Sequence, residues 1–118
     1  MSLLRLLRSA ARAAQCGAGD LSCRLIDPPA GQAARLHAIA LMRALDRDAI
    51  RPMVFHPSPA ATVSFSEAWA LRLISALQRN DFASAAFLIG RAVAAPRRRA
   101  VQWLAQRLAQ ALTDEGRA

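Results

Sequence analysis

The apolar positions of this chain recur mainly at helical spacing, in stretches separated by two irregular segments. Over residues 2–15, Leu3, Leu4, Leu7, Ala11 and Ala14 share one face at the 3.6-residue period, and Arg5, Arg8 and Arg12 fall on the other. Over residues 32–46, Leu36, Ile39, Leu41, Met42 and Leu45 cover a wide arc, which predicts a helix buried on more than one side. Ser64-Phe65-Ser66-Glu67 has the form of a capping box, with Ser64 as N-cap and Glu67 reaching back to it. The helix it opens is expected to run to about residue 79 with Ala70, Leu73, Ile74 and Leu77 inward.

Asn80-Asp81 makes a very short break, and Asp81 can cap a fourth helix over residues 82–94. Its expected seam is Phe82, Ala85, Ala86, Ile89 and Val93. So short a connection implies adjacent antiparallel helices. Pro96 suits the first turn of a last helix, because its missing N–H is not needed there. Val101, Leu104, Ala105, Leu108, Ala111 and Leu112 form the seam of that helix, and Gly116 offers its stop.

Between these elements, residues 16–31 are punctuated by Gly17, Gly19, Pro28, Pro29 and Gly31. Residues 48–63 form the second connector. Met53-Val54-Phe55 is expected to be briefly extended, and His56-Pro57-Ser58-Pro59 non-helical, as a semi-rigid spacer. The pattern therefore predicts one all-α domain over residues 1–118: a small bundle of four to five helices with a compact three-helix unit over residues 64–115.

Composition agrees. The chain is 54% apolar but only 5% aromatic, with no tyrosine, so its core must come from Leu, Ile, Val and Ala, a palette suited to helices. The net charge of +8 favours polyanionic partners: nucleic acid, anionic membrane surfaces or an acidic protein partner. All 16 basic residues are arginine. A GC-rich genome explains arginine in place of lysine, but not the scarcity of carboxylates.

Candidate chemistry concentrates on the last helix. Arg97, Arg98 and Arg99 lie in its first turn, at the positive end of the helix dipole, while Asp114 and Glu115 lie at the negative end. Each misplaced charge costs about 0.3–1 kcal/mol. An anion meeting the arginines, helped by the free N–H groups there, would explain the reversed pattern. Arg99, Trp103 and Arg107 follow at i, i+4 and i+8, with Gln106 and Gln110 beside them. Trp103 lies opposite the Leu104/Leu108 seam and is expected to be exposed or covered from outside the three-helix unit. Such an indole can stack on a base, anchor a protein interface or pack within the chain. A helix-turn-helix reading of this region is weakened by Pro96, which falls where that motif wants an apolar residue.

Motifs for enzymatic chemistry are lacking: there is no phosphate-binding glycine loop, no Gly-x-Ser-x-Gly elbow and no His-Glu-x-x-His. Cys16, Cys23, His37 and His56 match no zinc spacing, so neither metal nor cofactor is expected; the thiols read as reduced, and His37 as a polar edge residue. No stretch has the length of a membrane span.

The leading expectation is a basic, non-enzymatic binding or regulatory module. It would contact nucleic acid, or a nucleic-acid-associated protein complex, through Arg97, Arg98, Arg99, Trp103 and Arg107. Arg5, Arg8 and Arg12 would form a secondary basic surface. One alternative is a protein-interaction adaptor or helical homo-oligomer; another is peripheral membrane association through residues 2–15. The expected setting is a bacterial cytoplasm, or an organelle matrix if residues 1–15 are a transit peptide.

Overall fold

A computed structural model describes residues 2–15, 31–57 and 60–116. The fold is all-α. The described helices are α1 (Leu3–Gln15), α2 (Ala33–Asp48), α3 (Phe65–Gln78), α4 (Phe82–Ala92) and α5 (Arg98–Gly116), the last entered through a 3-10 turn at Ala95–Arg97. None is long and apolar enough to cross a membrane. Most of the first connector, with Cys16 and Cys23, lies outside the described residues, as do Ser58 and Pro59 of the second.

The centre of the molecule is the pair α2 and α5. They run antiparallel, since Glu115 at the end of α5 meets Ala34 at the start of α2, and Arg97 before α5 meets Asp48 at the end of α2. α1 packs on the other side of α2, which is why the apolar arc of α2 is so wide. α3 packs on α5 and α4. One continuous core results, with Leu7, Leu41, Leu45, Leu73, Ile74, Ile89 and Leu108 fully enclosed.

The helix boundaries have local causes. At α3 the capping box is complete: the Glu67 amide donates to Ser64 Oγ at 3.0 Å, and the Ser64 amide donates to Glu67 Oε1 at 2.8 Å. α3 ends at Asn80, whose φ of 60° is left-handed, a conformation Asn tolerates better than most residues. Asp81 then caps α4 by accepting from the Ser84 amide at 3.2 Å and the Ser84 hydroxyl at 2.7 Å. α4 ends at Ala92, two residues short of the end expected at residue 94. There the chain turns extended, Val93 bridges to Ala49, and the Ile50 amide donates to Ala92 O at 2.8 Å.

Two expectations about helix faces are corrected. Phe82 and Ala86 are exposed, because α4 sits at the edge of the bundle and buries only Ala85 and Ile89 within its length. Arg8 is not on an outer basic face. It is buried on α1, where its Nε and Nη2 donate to the two oxygens of the fully buried Glu67 at 2.7 and 3.1 Å.

This pair organises the second connector. Glu67 Oε2 also accepts the His56 amide at 2.8 Å, while Arg8 donates to Ala60 O at 3.1 Å and Thr62 O at 2.9 Å. Val54 is held alongside, its amide donating to Ser66 Oγ at 3.0 Å and its carbonyl accepting from Ser64 Oγ. The stretch Met53-Val54-Phe55 has no regular secondary structure and is fastened to the start of α3 through Val54. Burial alone would raise the Glu67 carboxyl; the Arg8 contact and the Ser64 and His56 amides outweigh it and hold the group at about 2.

Removing one partner of this pair strands the other charge in the interior. Glu67→Ala and Arg8→Ala should each lower the unfolding free energy by about 3–5 kcal/mol in urea denaturation at pH 7. A loss under about 1 kcal/mol would contradict the described network. Because the folded carboxyl titrates below its ordinary 4.5, its contribution is complete above that pH and is lost as pH falls towards about 2. Stability measured from pH 6 to pH 2 should therefore fall more steeply in the parent protein than in Glu67→Gln, by about 3 kcal/mol across that window.

Candidate functional site

The start of α5 is set by Ala94 and Pro96. Ala94 is extended, and Pro96 occupies the opening turn without needing an N–H partner. Arg97, Arg98 and Arg99 leave this turn in different directions and meet different surroundings.

Arg97 Nε lies 3.7 Å from Asp48 Oδ1, a carboxylate also held by Arg47 at 3.1 and 3.2 Å. Arg98 Nε donates to Val93 O at 2.9 Å and its Nη2 to Gly90 O at 3.1 Å. Arg99 is exposed and has no hydrogen bond or ion pair among the described residues.

These positions give the reversed charges of α5 an internal explanation. Arg97 sits at the C-terminal, negative pole of α2, and Arg98 at the negative pole of α4. Glu115 Oε1 accepts the Ala34 amide at 3.4 Å, at the positive pole of α2. Charges that oppose the dipole of their own helix complement the dipoles of its neighbours. All three arginines are exposed, but they divide by contact: Arg97 and Arg98 also meet groups at the ends of α2 and α4, whereas Arg99 meets none among the described residues.

Trp103 is half exposed, at 51%. Its ring meets that of His37 of α2 in a tilted, edge-type contact, with centroids 6.4 Å apart and planes at 63°. His37 is buried in the core, not at an edge as its sequence context implied. Its Nδ1 is 2.8 Å from Ala33 O, so in the neutral ring Nδ1 carries the proton and Nε2 is a bare acceptor with no hydrogen-bond partner among the described residues.

Beyond Trp103 the outer side of α5 presents Gln106, Arg107 and Gln110, all exposed; Gln110 Nε2 donates to Asp114 Oδ1 at 2.9 Å. Arg99, Trp103 and Arg107 therefore form an outward stripe about 12 Å long. No carboxylate interrupts α5 before Asp114. Arg5 and Arg12 are exposed on α1, a separate element that packs chiefly on α2.

A cleft of about 110 Å³ opens between α1, α2 and Met53, lined by Ala11, Ala14, Met42 and Phe55, with Arg43 and Asp46 at its rim. Small-molecule sites usually enclose about 300–1,000 Å³. Sequence reasoning missed the exposed Phe65, Phe82 and Phe87. Phe82 fits the seam by spacing, and only the peripheral position of α4 reveals that it faces out.

The three arginines should differ in their effect on stability. Arg98→Ala should cost about 1 kcal/mol through loss of the two carbonyl contacts, while Arg97→Ala and Arg99→Ala should each stay within about 0.5 kcal/mol. Thermal or urea denaturation checks this, and equal costs at all three positions would contradict the division. No protein-family model matches the sequence, and comparison with curated proteins and with solved structures yields no match.

Proposed function

We propose that this protein is a non-enzymatic binding module that meets nucleic acid, or a nucleic-acid-bearing complex, through the stripe Arg99, Trp103 and Arg107 on α5. The observation that carries this reading is a half-open indole set between two outward guanidiniums, on a stretch of helix that meets no carboxylate before Asp114, in a chain of net charge +8. Guanidinium groups pair with phosphate through two parallel hydrogen bonds. An indole face accepts any base by stacking, and Gln106 adds an amide for polar contact. The expected setting is a compartment that holds nucleic acid, the cytoplasm of a bacterium being the one favoured by the arginine-only basic set.

Arg98 supports the surface by tying the start of α5 to the end of α4, and Arg97 stands exposed beside it, near Asp48. A membrane-surface role for α1 is less well supported, because Leu6, Leu7 and Ala10 already face the core and Arg8 is committed to Glu67. A protein partner recognised by the same tryptophan and arginines is the competing outcome of the test.

Labelled single- and double-stranded oligonucleotides titrated at 50–300 mM salt should show affinity that falls as salt rises. Arg99→Ala and Arg107→Ala should each reduce the slope of log K against log salt by about 0.7–1. Trp103→Ala should weaken binding by about 1–3 kcal/mol and leave the slope unchanged. Absence of binding, or an unaltered slope in the double arginine variant, would overturn the proposal.

A further inference from the structure

α4 is out of balance with its surroundings. Its sequence carries a single charge, on Arg91, yet within the helix only Ala85 and Ile89 are buried. A helix that is apolar around most of its circumference normally lies inside a core. Here Ala83, Ala86 and Phe87 face outward, with Gly90 half-buried beside them, and Phe87 is 63% exposed.

Charge narrows what can cover this face. Two copies of a +8 chain repel over most of their surfaces, because exposed arginines occur on every described helix. Residues 82–90 are free of charge, so the repulsion is least there. An acidic macromolecule would gain nothing from that tract. Charge of both signs stands at its ends: Asp81 before the helix, with Arg79 of the same chain acting on it, and Arg91 near the end, its guanidinium 5.7 Å from the centroid of the Phe87 ring; hydrogen bonding from Ser84 keeps the Asp81 carboxyl ionised to lower pH than usual. Antiparallel pairing of two α4 helices sets each Asp81 beside the second copy's Arg91 and opposes the two helix dipoles. A parallel pairing would align like charges.

Shape agrees with charge. In the antiparallel register Ala83 lies opposite the second copy's Gly90, and Ala86 opposite its Phe87. Nothing lies within 4 Å of the place where a Cβ on Gly90 would sit, so the backbones can approach closely and the two phenyl rings can pack over the facing alanines.

We infer that α4 is a self-association face, through which two copies of this chain pair about a two-fold axis with Phe87 of each against Ala86 of the other. The strip is about 16 Å long. Pairing along it would bury on the order of 400 Å² per copy, about half of a standard interface, the size of a weak, transient association. This face is distinct from the stripe on α5, and the inference does not rest on the polyanion reading.

Sedimentation velocity of the full chain from about 5 μM to 1 mM, in 0.15 M salt, tests it. A monomer–dimer equilibrium is expected. Phe87→Glu and Gly90→Leu should each weaken it at least tenfold while circular dichroism stays at the parent value. Arg91→Asp should weaken it by repulsion from Asp81, and Trp103→Ala should leave it unchanged. Should Phe87→Glu lose its fold, Gly90→Leu decides, since the space around Gly90 is open within one chain. A monomer throughout the range overturns the inference, as does a dimer that Gly90→Leu leaves intact or that Trp103→Ala abolishes.

Discussion

The buried pairing of Arg8 with Glu67 is the constraint on which the arrangement of this bundle depends. Two ions withdrawn from water cost several kcal/mol each unless nearly every polar atom finds a partner. Here the carboxylate accepts from the guanidinium and from the amides of Ser64 and His56, and the guanidinium donates to Glu67, Ala60 and Thr62. Those contacts join α1, the second connector and the first turn of α3 at one point. Hydrophobic burial alone would accept α1 at several rotations about its axis; only one rotation delivers Arg8 to Glu67.

The same interaction marks where legibility from sequence ended. Helical periodicity located the described helices, and the Ser64/Glu67 box and the Asp81 cap were readable because a helix start is a local event. The second role of Glu67 was not readable. Its partner lies 59 residues away, and on α1 the period placed Arg8 with two other arginines that do face solvent. Spacing ranks faces by average polarity and cannot identify the one charged residue that a distant carboxylate will pull inward.

The charge pattern of α5 shows a related limit. Judged on that helix alone, its arginines and carboxylates stand at the wrong poles. Beside antiparallel α2, and with the end of α4 against its first turn, Arg97, Arg98 and Glu115 stand at favourable poles of other helices. Macrodipole arguments made one helix at a time lack this information. Arg98 has a further effect: by binding two carbonyls at the end of α4, it fixes the outward face of α4 relative to the stripe on α5.

The two tryptophans occupy unlike environments, and the chain has no tyrosine to obscure them. Trp69 is buried and donates from its indole N–H to Leu88 O at 2.9 Å, tying α3 to α4, whereas Trp103 stands half open on α5. Their emission must therefore separate into a blue component shielded from dissolved quenchers and a redder one that quenchers reach. The unmodified protein thus carries its own optical probes, one for the packing of its interior and one for events at its outer face.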